Sequence, residues 1–544
     1  MNKISKIVKN NRSLETKKPV VNFMGGISYE LNPLDTLKMI SASSIFAEPQ
    51  YYRSSGLKDN KWYKVDECVE KYSLFDISPD TTASELMIES INKALDYDFK
   101  GTIEWARELR YNYYMRLNPQ IIMVLASMHP ARASFSQEYP GLFREINIEV
   151  MRRADEPSSQ LAFYLYYYGS KNKIPSILKR SWADRIENMS CYEISKYKNS
   201  EIGLINTIRI CHANNSLINT LMSTGTVQVS EKDETWENLR SQGLTFKEIV
   251  KTIKMPHMAL LRNLRNIFKE LDSSDRKIAE DLLKQLKDGV KNGKQFPFRY
   301  YSALKELKNN SDVKFRPLLI DALEECIDIS IDNMPKLKGK TICLSDNSGS
   351  AWGTFNSEYG TMTVAEIDNL SSVITAMSSD EGYVGKFGDE LNITPISKRN
   401  GALQQSHSIS TNRCQDVGGG TENGVWLFFE QAIKNLEHYD NIFIYSDMQA
   451  GHGGLYGVGS KYLINGEDFT YKNRYIDVMK LIDKYRQVVN PKVNVFCIQT
   501  AGYNNVLIPE YTYRGAVLYG WTGKEPLFAS KIIEQWDSIE NKGE

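Results

Sequence analysis

The apolar run Thr341–Leu344 leads through Ser345 into Asp346, and hydroxyls then fall at Ser348 and Ser350. A short apolar run closing on a carboxylate and small polar residues reads as a buried strand ending in a tight loop. In an open α/β sheet, ligands sit on such loops, outside the carboxyl ends of the strands. Asp346, Ser348 and Ser350 offer a carboxylate and two hydroxyls, a set suited to a hard cation. Mg2+ takes about six oxygens and usually keeps several waters, so one loop does not fill its shell. Two later stretches supply more oxygen. Gly418-Gly419-Gly420-Thr421 is a glycine-rich turn ahead of an amphipathic run, Val425–Leu436, and Asn441–Ser446 is a second apolar strand that ends at Asp447. The candidate metal site is therefore Asp346, Ser348, Ser350, Thr421 and Asp447, holding Mg2+ or another divalent cation.

The chain ahead of this region has a different texture. Apolar residues recur at helical spacing in Ser84–Leu95, Gly101–Tyr113, Asn118–Met128, Ser159–Tyr167, Ile174–Ile186 and Ile278–Val290. Short amphipathic helices in series suggest stacked helix pairs of the HEAT kind. After Pro335 strand-like runs appear at Thr341–Asp346, Gly385–Asp389, Ile442–Asp447, Val493–Thr500 and Ala516–Trp521. Helical runs alternate with them at Thr363–Met377, Val425–Leu436 and Tyr475–Tyr485, which predicts a mostly parallel, doubly wound sheet. The expected organisation is a basic flexible arm over 1–20, an all-α domain over 21–335 and an α/β domain over 336–544. A glycine-rich connection, 451–473, follows the Asp447 strand, and connections this long are usually functional.

Lys plus Arg and Asp plus Glu both total 67, so overall charge does not announce a nucleic-acid partner and a basic patch must be sought locally. The seven cysteines are scattered and never form C-x-x-C, which points to reduced thiols in a cytoplasmic setting rather than disulfides or zinc. No apolar run approaches the ~18 residues of a membrane span. Locally, 171–215 carries eight Lys or Arg against four acids, with Tyr192 and Tyr197 interleaved. Cations neutralise phosphates and aromatic rings stack on unpaired bases. Arg262 and Arg265 share a helix face and either contact RNA or stitch helices together. The tyrosine-rich stretch Tyr164–Tyr168 reads mostly as helix core.

The D-x-S-x-S, Thr, Asp pattern resembles the metal-ion-dependent adhesion site of von Willebrand factor A domains. In the helical part, Met255-Pro256-His257-Met258-Ala259-Leu260-Leu261-Arg262-Asn263-Leu264 resembles the motif of the TROVE domain. Asn22–Tyr29 and Lys294–Arg299 are similar to further segments of that family. TROVE followed by an A domain is the order in Ro 60 kDa autoantigen-like proteins. The resemblance implies an all-α HEAT-like ring followed by a doubly wound von Willebrand factor A domain. It also implies small noncoding Y-like RNA on a basic outer face, single-stranded 3′ ends of misfolded RNA in a central hole, and a role in noncoding-RNA quality control. Bacterial relatives suggest delivery to an exoribonuclease. The segment 193–198 followed by 208–212 is similar to the Ro stretch that holds Y RNA, so Lys196 and His212 would correspond to contacts there. The RNA-binding candidates are Lys171, Lys173, Lys179, Arg180, Lys196, Lys198, Arg209, His212, Arg262 and Arg265.

No nucleophile elbow, zinc-protease motif or phosphate loop is present, and the expectation is a binder without catalysis of its own. Adhesion-site metals in related A domains complete their shell with a partner's acidic side chain, so an acidic protein ligand is expected there. The alternatives are a protein-assembly module working through the A domain, or a metal-assisted hydrolase in which His452 approaches the metal.

Overall fold

The computed structural model describes residues 20–21, 27–30, 32–43, 83–112, 115–197, 203–225, 227, 235–293, 295, 297–308, 312–332, 334–353, 363–419, 423–446, 448, 462–471, 475–500, 505–508, 511–518 and 525–540. Residues 1–19 of the expected arm lie outside these.

Residues 87–275 form one packing unit, and its described elements are all helices. Local chemistry sets the helix starts. The Asp98 side chain accepts from the Gly101 N–H at the head of Phe99–Tyr111, and Asn215 does the same for Ser216–Thr224. Thr245 and Glu248 form a reciprocal capping box at Phe246–Thr252. The longer helices then stack in two rows. Phe99–Tyr111 packs on Leu142–Val150, which packs on Ser176–Glu187. Leu117–Met128 packs on Glu156–Tyr168, which packs on Leu204–Cys211. Each helix thus meets the second long helix after it as well as its neighbour, which is the arrangement of stacked helix pairs that the helix density predicted.

A buried polar network fixes the register of the rows. Gln160 donates to the side-chain oxygens of Gln120 (2.7 Å) and Asn147 (2.8 Å), and its own oxygen accepts from the Trp182 indole at 2.7 Å. Beside it, the Arg110 guanidinium reaches Glu156 at 2.8 and 3.1 Å, and both side chains are almost fully enclosed. Burial raises the Glu156 carboxyl and lowers the Arg110 guanidinium, and the attraction between them opposes both shifts. The Val150 carbonyl accepts from both Arg110 and Gln120.

The second unit comprises 1–86 and 276–544. Its centre is a seven-stranded sheet in the order 511–512, 515–518, 494–499, 441–446, 337–346, 379–387, 391–395. The inner pairs are parallel and the two edge strands are antiparallel. The strands at the centre are buried along nearly their whole length, as parallel strands covered on both faces must be. Strand 337–346 is followed in the chain by its neighbour on one side, 379–387, and later by its neighbour on the other, 441–446. The winding therefore reverses beside 337–346, and the crevice at its carboxyl end is the position where α/β sheets bind ligands.

Several boundaries differ from the sequence reading. Secondary structure changes type at Leu337, but packing divides the chain at 275. Helices Arg276–Gly293, Pro297–Lys308 and Arg316–Asp332 pack on one another, and Asp328 accepts from the Ala402 N–H at 2.9 Å. Helical spacing in a sequence does not report which neighbour a helix packs on. The strand expected at Gly385–Asp389 is the end of Ser379–Phe387, and that at Ala516–Trp521 is Gly515–Leu518, with 519–521 outside the described residues. The helix expected from Tyr475 starts at Val478, because Tyr475–Ile476 pairs as a strand with Thr470–Tyr471 and Asp477 caps the helix. Within the glycine-rich connection, Leu463–Ile464 and Glu467–Asp468 form a hairpin turned by Asn465-Gly466, both at positive φ. Residues 451–461 lie outside the described residues.

Replacing Arg110 by Met should lower stability by about 3–5 kcal/mol, because it strands the buried Glu156 carboxylate. Urea unfolding followed by circular dichroism checks this, and Arg110→Met with Glu156→Met should recover much of the loss.

Candidate functional site

Two sites were expected, one in each unit. In the α/β unit, Asp346 ends its strand fully buried, as are Asn347 and Ser348. The Asp346 carboxylate accepts from the Ser348 N–H at 2.9 Å and from the Ser446 hydroxyl at 2.7 Å. Ser446 in turn accepts from the Met448 N–H at 3.0 Å, so it holds both Asp346 and the backbone on either side of position 447. These two accepted bonds orient the carboxylate at the end of the strand.

Neighbouring loops are stitched to the same place. The Asn347 N–H donates to the Phe387 carbonyl (2.8 Å) and the Gly349 N–H to the Gly419 carbonyl (3.0 Å). Asp389 accepts from the Gly419 N–H at 2.9 Å. Beneath them Asn347 and Asn369 exchange side-chain hydrogen bonds, and Ser345 donates to Asn369 at 2.7 Å. Loops 346–349, 387–390, 416–419 and 446–448 thus meet at the carboxyl end of the sheet. The sequence-predicted Thr421 and Asp447 lie outside the described residues, immediately after two of these anchored segments. Ser350 belongs to the short helix Gly349–Gly353, and its side chain is outside the described set.

Asp346 and Ser348 are hard oxygen donors, the ligand class that Mg2+ takes. Among the described residues no group of three or more His, Cys, Asp or Glu is placed to hold a metal. The described donors, Asp346 and Ser348, are of the hard oxygen class. Sequence reasoning missed Ser446, Asn369 and Asp389. The Asp389 Oδ1 atom is buried without a hydrogen-bond partner. Only Ser446 carried a signal, as the residue just before a strand-terminal carboxylate.

In the helical unit the expected cations fall into three groups. Lys171, Lys173 and Arg180 are exposed and Lys179 is half-buried; the first two lie in the turn after Glu156–Tyr168 and the last two in the first turns of Ser176–Glu187. None of the four has an acidic partner among the described residues. Arg209 is exposed in the last turn of Leu204–Cys211, and His212 caps that helix in the left-handed region, also exposed. Arg262 and Arg265 are exposed on His257–Glu270, while Asn263 bonds back to the Ala259 carbonyl of its own helix. Lys196 lies in the helix Cys191–Tyr197 with its side chain outside the described set, and Lys198 lies outside it altogether. Arg185, part of the basic count, is structural. It donates to the Met151 carbonyl and pairs with Glu193 at 2.6 Å.

The tyrosine stretch requires a correction. Only Tyr164 is core; Tyr166 is 83% exposed, Tyr167 is 40% exposed and Tyr168 is half-buried. A helix turns about 100° per residue, so Leu161 and Tyr164 can face inward only if Tyr166 faces out.

With the geometry in hand, the chain was set against known proteins. Residues 223–318 match the TROVE domain family, a span that contains 255–264. The crystal structure of the Deinococcus radiodurans Ro (Rsr) protein has the same fold, with a TM-score of 0.55 at 12% identity, covering 92% of this chain and 99% of that one. No curated protein matches in sequence.

The stitched loops make Gly388 irreplaceable by local fit, since a Cβ there would lie 2.3 Å from the Gly418 carbonyl oxygen. Gly388→Ala should destabilise the α/β unit by roughly 1–3 kcal/mol, the usual cost of overpacking. Thermal unfolding and limited proteolysis of the 416–419 loop measure it.

Proposed function

We propose that this chain, which matches the TROVE domain family over 223–318 and shares the fold of a Ro protein, is a Ro 60 kDa-like protein that binds structured noncoding RNA on the helical unit. The observation that carries the reading is the turn bearing Lys171 and Lys173 and the start of the helix bearing Lys179 and Arg180, where four cations lack acidic partners among the described residues in a chain of zero net charge. Several other cations of the unit are matched, as in Arg144 with Asp184, Arg185 with Glu193 and Lys247 with Asp272. An uncompensated basic corner is the electrostatic footprint of phosphate binding. Arg209 and His212, exposed at the end of Leu204–Cys211, and Arg262 and Arg265, exposed on His257–Glu270, are further candidate contacts, and Lys196 and Lys198 join them on the strength of the motif.

The finer reading is a small Y-like RNA on this face and the single-stranded 3′ ends of misfolded RNA, in noncoding-RNA quality control. An exoribonuclease would receive the RNA, and the protein itself would perform no catalysis. No described helix is long and apolar enough to cross a membrane. The described cysteines are all free, which supports a reducing, cytoplasmic compartment.

In the α/β unit Asp346 and Ser348, with Ser350, Thr421 and Asp447, would hold Mg2+. The ion would supply a Lewis-acidic position for an acidic side chain of a protein ligand. Ser446 keeps the Asp346 carboxylate aimed for that role.

RNA affinity across a salt series tests the first reading, using a hairpin with a single-stranded 3′ tail. Lys179→Glu with Arg180→Glu should weaken binding at least tenfold and flatten the salt slope by roughly 2, because each phosphate contact contributes about 0.9 to it. Wild-type binding that is weak and indifferent to the substitutions would instead favour protein assembly through the α/β unit. For the metal, Mg2+ should raise the thermal midpoint of the wild type, and Asp346→Ala should abolish that rise. An unchanged midpoint in the wild type would rule the site out.

A further inference from the structure

The strongest unexplained feature outside the two candidate sites is the aromatic tip of Glu156–Tyr168. Tyr166 projects at 83% exposure, and no other ring contacts it among the described residues. Tyr167 beside it is supported from behind rather than covered. Phe163 stacks on it at 5.8 Å with 9° between the planes, and Tyr168 meets it edge-on at 4.8 Å. Burial pushes the Tyr168 hydroxyl up to about 12, so it stays a neutral support. The following turn is tied back to the helix, since the Tyr164 hydroxyl donates to the Lys173 carbonyl at 3.1 Å and the Asn172 side chain donates to the Tyr168 carbonyl. That fold-back brings the exposed Lys171 and Lys173 to the same helix end as the rings.

We propose that Tyr166 and Tyr167, flanked by Lys171 and Lys173, form a stacking platform for the unpaired nucleotides of a bound RNA. An exposed ring can cover a base only where the base is out of a duplex, because paired bases show only their edges. Tyr167, backed by Phe163 and Tyr168, offers a flat, pre-ordered face beside the exposed Tyr166 ring, and adjacent lysines neutralise the phosphates between successive bases. Every base has a π-face, so the platform reads strandedness and tolerates sequence. The proposal rests on the RNA-binding reading and adds to it a site for the single-stranded segment.

The test uses the full chain and two fluorescent RNAs, a blunt two-stranded duplex and the same duplex with an unpaired 3′ tail. Tyr166→Ala with Tyr167→Ala should weaken the tailed RNA roughly five- to fiftyfold, the scale of lost base stacking, and leave the blunt duplex unchanged. Tyr166→Phe with Tyr167→Phe, which keeps both rings, should bind like the wild type. Lys171→Gln with Lys173→Gln should flatten the salt slope for the tailed RNA by roughly 1.4. The single variant Tyr166→Ala, at the more exposed position, repeats the measurement should the double variant fold poorly. Equal affinity of the alanine variants for the tailed RNA, or equal loss on both RNAs, overturns the platform while RNA binding stands. Failure of the wild type to bind either RNA overturns both readings.

Discussion

The helical unit depends on the hydrogen bonds made by Gln160. Its amide reaches Gln120, Asn147 and Trp182, so one buried side chain ties four helices of both rows. Polar groups this deep are tolerated only when satisfied, and a satisfied network permits few alternative packings. Gln160 must face inward for these bonds to form. That orientation carries Leu161 and Tyr164 into the core and turns Tyr166 to solvent. The exposed aromatic tip is thus a consequence of the buried amide nearly two turns earlier on the same helix.

The α/β unit depends on a different constraint. Strand 337–346 lies between the strands that follow it on its two sides, and this order leaves a crevice at its end. Asp346 occupies that crevice because an apolar strand places its last residue there. The bond from Ser446 crosses between adjacent strands and fixes the carboxylate relative to the loop leading to position 447. The described groups gathered there are mostly oxygen donors, with the Asp346 carboxylate at their centre.

The two units offer complementary chemistry. One presents positive charge and aromatic faces, the other hard oxygen donors. Arg185 shows why charge counting alone misplaces the first surface. It lies five residues from Arg180 on the same helix, yet its guanidinium is consumed by the Met151 carbonyl and Glu193. Lys179 and Arg180 have no such acidic partners among the described residues.

By itself the sequence determined the secondary-structure periods, the strand ending at Asp346 and the 255–264 motif. These depend on local propensity and on the alternation of apolar residues, which are properties of the chain as written. It also marked the turn around Lys171–Arg180 as basic. Tertiary structure alone decided which helices pack together, and so placed the division at 275 rather than at the change of texture near 336. It alone brought Ser446, Asn369 and Asp389 to the Asp346 loop, from strands and helices far apart in the chain. It alone decided that Tyr166 and Tyr167 face outward and that Arg185 faces inward. Those outcomes depend on partners supplied by other helices, and a one-dimensional pattern does not record which partner a side chain will find.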